Sequence, residues 1–191
     1  MSAPLSRTPV ADSDAEFVAA ICARVTRSLE GLLERGFALW PRRVERRDRR
    51  VAGRRAVHLA FRLRFVDAAT GSVREGCLLL PWEEAAALAA RSLMLGERTV
   101  AAFRKLRRPD ETTKEALRDL NVLLAGAVDR ALASFTFGRL SCVAFGPQGV
   151  RPGVRPAFEH VEGEELIVAR VEACCEGSEP FEVVWMLPVV G

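Results

Sequence analysis

Large apolar residues occupy every second position over residues 57–65, which is the pattern of a strand with one buried face. One side of this strand is apolar, and the other carries His58, Arg62 and Arg64. We therefore predict a half-buried strand on which His58 is exposed. The turn sequence DAATGS then leads into the apolar run 77–80, so the two segments predict a hairpin.

Apolar residues recur at helical spacing in two further segments. The first predicted helix begins at Asp12 or Ser13 and ends before Gly36. The second begins at Pro81 and ends at Gly96, since proline is favoured at the start of a helix and glycine just past its end.

The longest amphipathic helix is predicted between Asp110 and Gly138. Thr112 and Glu115 have the spacing of a capping box at its start, and Gly138 suits its end. The segment 98–109 before it is predicted to be a basic connection.

Three more apolar segments predict strands near 139–146, 165–173 and 181–188. The order is then helix, strand, strand, helix, followed by helix and three strands. It predicts two related halves that share one antiparallel sheet packed by long helices, which is a single domain of the α+β class. We assign this domain to residues 12–191 and expect residues 1–11 to form a flexible N-terminal tail.

The composition is that of one globular domain. Hydrophobic residues make up 49% and charged residues 28% of the 191 residues, with a net charge of +3. No apolar run is long enough for a membrane span and the N-terminus has no apolar signal-peptide core, so we expect a cytoplasmic protein.

Cysteine and histidine are too scattered for a metal centre. Five cysteines and two histidines occur without a CxxC pair, so we expect reduced, mostly buried thiols and no cofactor. No Ser–His–Asp or Cys–His arrangement and no Walker loop is visible, so nucleophilic catalysis and nucleotide binding have no support.

The segment Arg42–Arg55 carries eight arginines, which raises the possibility of nucleic-acid or cyclic-di-GMP binding. The spacings of Arg42 to Arg46 and of Asp48 to Gly53 faintly resemble the two motifs of the PilZ domain. The second motif lacks its Ser and the two motifs lie too close together. Acidic residues also interrupt the run, so nucleic acid is disfavoured and a solvated connection entering a strand is preferred.

The segments LPWEEAAALAARSLMLG and DETTKEALRDLNVLLAGAVDRAL resemble the chemotaxis phosphatase family of CheC and CheX, whose fold the flagellar switch protein FliM shares in its middle domain. The family pattern includes a helix that reads Glu-x-x-Asn, then a small residue and Gly. The resemblance implies that the acid anchors a phosphorylated CheY-like receiver domain and that the amide positions the attacking water. Any Mg²⁺ would belong to the receiver rather than to this chain.

A helical wheel at about 100° per residue divides the long helix into two faces. Glu115, Asp119, Val122 and Gly126 fall on the outer face. Asn121 falls beside the core face, about 160° from Asp119. The acid and the amide therefore do not point in the same direction.

Two registers relate this helix to the family pattern. Alignment on Gly126 puts Asp119 at the acid position and Val122 at the amide position, on the outer face. Alignment on Asn121 keeps the amide but puts Arg118 at the acid position and turns the pair toward the core. Neither register completes the catalytic pair.

The leading hypothesis is a signalling module that binds a CheY-like receiver or another signalling protein through Glu115, Asp119, Val122 and Gly126, without strong phosphatase activity. The first alternative is an active phosphatase whose catalytic residues are Asp119 and Asn121. The second is a structural domain that forms a homodimer through a sheet edge. The simplest reading is that Asp119 is a solvated acid of an ordinary helix and that Asn121 is a polar residue beside its core face.

Overall fold

The computed structural model describes residues 12–53, 56–106, 108–161 and 163–189, and the predicted tail at 1–11 lies outside these residues. Within them the chain forms four helices and six strands, in the order α1 (Asp12–Leu33), β1 (Phe37–Arg47), β2 (His58–Asp67), β3 (Val73–Pro81), α2 (Trp82–Ser92), α3 (Glu97–Arg104), α4 (Glu111–Thr136), β4 (Leu140–Val150), β5 (Leu166–Cys175) and β6 (Phe181–Pro188). None of the described helices is long and apolar enough to cross a lipid bilayer.

The six described strands form one antiparallel sheet in the order β1-β5-β6-β3-β2-β4. If β1, β2 and β3 are exchanged with β4, β5 and β6, the result is the same strand order read from the other edge of the sheet. With α1 matched to α4, the chain consists of two α-β-β-β halves related by an approximate twofold axis. In agreement, β2 and β5 have the same sequence of buried and half-exposed positions. The predicted α+β fold is confirmed.

The two halves are interleaved. In the described sheet β1 pairs with β5, and β4 pairs with β2. The first strand of each half therefore lies beside the hairpin of the other half. Neither half completes its part of the sheet alone.

The first part of the arginine-rich segment, as far as Arg47, forms a strand, so its prediction as a connection was wrong there. Phe37–Arg47 is an edge strand that pairs along one side, with its register shifted between Pro41 and Arg43. Proline is tolerated there because an edge strand has no neighbour on its other side. Charged side chains on the exposed face hide the alternation that would identify the strand.

The predicted basic connection after α2 contains helix α3, which sequence reasoning also missed. Val100 is the one buried residue of α3 and packs against Ala87 and Ala90 of α2. A helix of eight residues with a single buried position has no hydrophobic period to detect. Helix α2 ends at Ser92, before the predicted boundary.

Helices α1 and α4 cover one face of the sheet and form the main core with it. The rings of Phe17 and Phe135 meet edge to face with 5.4 Å between their centroids. The start of α1 therefore lies beside the end of α4, as the twofold relation requires.

The opposite face of the sheet carries a second apolar cluster, in which Val51 and Phe158 pack on inward-pointing strand residues. Loop residues on this face also cover His58, which is only 7% exposed. Its Nδ1 lies 2.8 Å from the carbonyl oxygen of Ala56, and Gly53 lies directly against the imidazole ring. The predicted exposure of His58 was therefore wrong.

Helix α4 begins with an Asp110 cap. The amide N–H and the hydroxyl of Thr113 donate to Oδ1 of Asp110 at 2.8 and 2.6 Å. These bonds lower the pKa of Asp110, the side-chain bond most. The predicted capping box at Thr112 and Glu115 was therefore wrong, because an earlier acceptor already satisfies the first turn.

Candidate functional site

Four residues predicted to face a partner lie along one side of α4, which we call the outer stripe: Glu115, Asp119, Val122 and Gly126. Glu115 and Asp119 are exposed, and neither forms an ion pair with a described residue. Val122 is 63% exposed. A Cβ on Gly126 would lie 3.4 Å from a guanidinium nitrogen of Arg130. The outer stripe thus presents two carboxylates beside an apolar side chain.

Asn121 lies on the opposite side of α4, against the sheet. Its side chain is 1% exposed, and its Nδ2 donates to the carbonyl oxygen of Arg62 on β2 at 3.2 Å. Its Oδ1 is buried and has no described hydrogen-bond partner. The structure therefore does not bring Asp119 and Asn121 together, because one faces solvent and the other ties α4 to the sheet.

The chain offers few amides that could replace Asn121. It is the single asparagine, and Gln148 is the single glutamine. The Oε1 of Gln148 accepts a hydrogen bond from the amide of Ala157 at 3.2 Å, away from α4. The outer stripe therefore has no amide, and this absence could have been read directly from the amino-acid counts.

Helix α1 carries a stripe equivalent to that of α4. The two helices can be aligned so that Asp14 corresponds to Thr113, and both of these residues are buried. In this alignment every buried residue of α1 corresponds to a buried residue of α4. The equivalents of the outer stripe are then Glu16, Ala20, Ala23 and Arg27. Helix α1 retains one carboxylate but lacks both the second carboxylate and the large apolar side chain. Sequence reasoning missed this relation, although the spacing of the apolar residues in the two helices could have shown it.

The described arginines of the Arg42–Arg55 run are held by acceptors within the protein. Arg46 donates to Asp14 at 2.7 Å and to Glu165 at 3.2 Å. The last two arginines of the run lie outside the described residues. The others pair with carboxylates or donate to carbonyl oxygens of the chain: Arg42, Arg43, Arg47, Arg49 and Arg50. These contacts do not favour a site for cyclic-di-GMP or nucleic acid.

The cysteines are free thiols, and four of the five are buried. Burial raises the pKa of Cys22 to about 12 and raises the pKa of Cys77, Cys142 and Cys175 above that of an exposed thiol. Because the thiolate is the reactive form, these four side chains supply no activated nucleophile. Among the described residues, no three His, Cys, Asp or Glu side chains form a group that could hold a metal ion.

No protein-family model matches this sequence, and no curated protein matches it. Solved structures nevertheless show the same architecture. FliY of Thermotoga maritima has a TM-score of 0.72 at 11% identity, with 95% of this chain and 93% of that chain covered. FliM in the FliG–FliM complex of H. pylori has a TM-score of 0.66 at 10% identity, with 95% and 96% covered.

The chemotaxis protein CheX from Vibrio vulnificus has a TM-score of 0.54 at 16% identity, with 90% of this chain and 97% of that chain covered. Both the flagellar and the chemotaxis structures thus match almost the whole described domain. The chain has the fold that FliY, the FliM middle domain and CheX share.

Proposed function

We propose that this chain is a protein-interaction domain of bacterial chemotaxis or flagellar-switch signalling, which binds a CheY-like receiver domain through the outer stripe without strong phosphatase activity. The observation that carries the proposal is the composition of that stripe. Two carboxylates without ion-pair partners among the described residues lie beside the exposed Val122, while the single asparagine is buried. Carboxylates that are free to pair across an interface can orient a charged partner, and Val122 beside them can be covered by it.

The shared fold supports a binding role. The FliM structures of H. pylori include one complex with FliG and another with SpeE. Domains with this architecture thus occur in complexes with different proteins. The shape supplies a scaffold, and the exposed residues of α4 would supply the specificity.

The composition of the outer stripe also supports partner binding without phosphatase activity. An enzyme that hydrolyses an aspartyl phosphate by positioning the attacking water needs a polar group that holds this water in line with the phosphorus. Val122 has no polar atom in its side chain, and the amide of Asn121 faces the sheet. Asp119 alone could anchor a partner by charge but would not complete the family's pair.

The binding proposal is tested with a purified receiver domain from the same cell, activated with beryllium fluoride. We expect this receiver to bind the full chain, and Asp119→Arg to raise the Kd at least about tenfold because it reverses a charge in the contact. Glu30→Arg changes an exposed acid of α1 in the same way and should leave the Kd unchanged. Equal affinities for wild type and Asp119→Arg would contradict the proposal.

A phosphatase that uses Asp119 is the alternative, and the decay of the phosphorylated receiver distinguishes it. Under our proposal the wild-type chain does not accelerate this decay. The phosphatase alternative instead predicts a measurable acceleration that Asp119→Ala abolishes and that Val122→Asn increases, because an amide would then join the outer stripe. The rate of phosphate release with each variant is the measurement.

A further inference from the structure

A groove of about 1460 Å³ lies between α3, the segment that follows it and the first half of α4. Its other wall is formed by the start of α2 and by the neighbouring ends of β2 and β4. The groove contains no residue of the outer stripe, but it adjoins the stripe on α4, where Arg118 lies one helical turn from Glu115 and Val122. Its apolar lining includes Val57, Trp82, Leu106, Leu117 and Pro147.

The floor of the groove is apolar and held in place. Nε1 of Trp82 donates to the carbonyl oxygen of Leu106 at 2.6 Å, which fixes the indole against the segment after α3. Val57, directly before β2, remains 49% exposed. An apolar concave surface that stays open to water gains free energy when a partner's apolar side chains cover it.

The rim of the groove is basic, and Glu83 is the single acidic residue among the described residues that line it. Four cationic side chains line it: Arg104, Lys105, Lys114 and Arg118. Two of them are paired within the chain, Arg104 with Glu84 at 2.7 Å and Lys114 with Glu111 at 2.5 Å. The other two form no ion pair with a described residue, and they outnumber the unpaired Glu83 by two to one, so the described rim keeps a net positive charge.

We propose that this groove docks an acidic amphipathic segment of a partner protein, with its apolar side chains on the floor and its carboxylates beside Lys105 and Arg118. The volume exceeds the roughly 300–1,000 Å³ of ordinary small-molecule sites. An amphipathic helix laid into a trough with apolar anchors is a common mode of segment recognition. The positive rim selects for acidic segments and against basic ones.

The test uses the full chain and a fluorescein-labelled synthetic helix in which leucines form one face and glutamates the other. We expect the fluorescence anisotropy of this peptide to rise when the chain is added. The double variant Lys105→Glu, Arg118→Glu should raise the Kd at least about tenfold. Arg98→Glu reverses one charge on α3 outside the groove, which is half the charge change of the double variant, and should leave the Kd unchanged. The circular dichroism of all variants should match that of wild type.

Two control peptides separate the apolar contribution from the electrostatic one. One keeps the glutamates but has serine in place of leucine, and the other keeps the leucines but has lysine in place of glutamate. We expect neither peptide to bind. Binding of the serine peptide with equal affinity, or failure of the leucine–glutamate peptide to bind, would overturn the proposal.

The amino-acid composition allows the bound peptide to be located directly. Lys105 and Lys114 are the only lysines of the chain, and both line the groove. Lysine acetylation by acetic anhydride, followed by mass spectrometry, therefore reports on the groove alone. We expect the bound peptide to slow acetylation of both lysines, and unchanged acetylation in the presence of saturating peptide would overturn the assignment to this groove.

Discussion

Gly76 lies on β3, between β2 and β6, where the sheet leaves no room for a side chain. A Cβ at this position would overlap the backbone carbonyl oxygen of Met186 on β6. Because that oxygen belongs to an inner strand, it cannot swing aside as the end of a flexible side chain can. Packing therefore requires the glycine, since the surrounding backbone approaches it closely.

We expect Gly76→Ala to lower the free energy of unfolding by about 2 kcal/mol, as for other substitutions that overpack a core. The measurement is the urea dependence of circular dichroism. Gly149→Ala is the matched control on β4, because a Cβ there meets no atom within 4 Å. Equal stabilities of the two variants would show that β3 and β6 separate more easily than the structure indicates.

Sequence patterns predicted single residues well where one helix face decides the environment. The wheel placed Asn121 beside the core and Val122 outside, and both positions are confirmed. The prediction that His58 is exposed failed because the alternation shows only on which face of the strand a side chain lies. Whether that side is open depends on Gly53 and its neighbours, whose contact with His58 is not encoded in the strand itself.

Between elements, Asp67 joins the end of β2 to the chain that follows α4. Its carboxylate accepts hydrogen bonds from Arg139 at 2.8 to 2.9 Å and from the amide of Ala69 at 2.8 Å. The bond from Arg139 is the main cause that holds the pKa of Asp67 below its usual value. The charged carboxylate is therefore the form that the folded state favours.

A lowered pKa in the folded state stabilises the protein above the pKa of the unfolded chain, and this contribution is lost as the pH falls through the folded-state value. We expect Asp67→Asn to be less stable than wild type at neutral pH. The difference should shrink below about pH 4, near the pKa of an unperturbed aspartate. Urea unfolding over a series of pH values measures it, and a difference that stays constant into acid would contradict the role of this carboxylate.

Among the elements, those with a strong apolar period could be predicted from the sequence, and those held by distant partners could not. The long helix α4 and strands β2 to β6 have enough buried positions to show their type. Strand β1 instead depends on pairing with β5 and on carboxylates far along the chain, such as Glu172. Helix α3 depends on one buried valine, which no local pattern reveals.

For the whole molecule, the interleaving of the halves has an energetic consequence. Each half leaves its first strand without a partner until the other half has folded, so partly folded states would expose unpaired sheet edges. We therefore expect one cooperative unfolding transition. Tryptophan fluorescence, to which the buried Trp185 contributes together with Trp40 and Trp82, should have the same midpoint as the far-ultraviolet circular dichroism. Two separate midpoints would show that one half is stable alone.

The order of helices and strands was enough to predict two related halves, but not how their strands interleave in the sheet. Strand order depends on contacts between residues more than a hundred positions apart, such as Arg46 with Ile167. The chemistry of the candidate site could likewise be predicted only in part from the sequence. The wheel could predict that Asp119 and Asn121 point apart, whereas the groove beside α4 depends on five segments that the sequence keeps separate.

The twofold relation also bears on how the backbone can be connected. Strands β3 and β6 both end in Leu-Pro, and α1 and α4 begin at equivalent places. The gap from Pro188 to Asp12 therefore corresponds to the gap from Pro81 to Glu111, which α2 and α3 bridge. A second copy of that bridge, joined between Pro188 and Asp12, would close the backbone into a ring. Opening the original bridge would then give a circular permutant in which the two halves exchange their order along the chain but keep the same sheet.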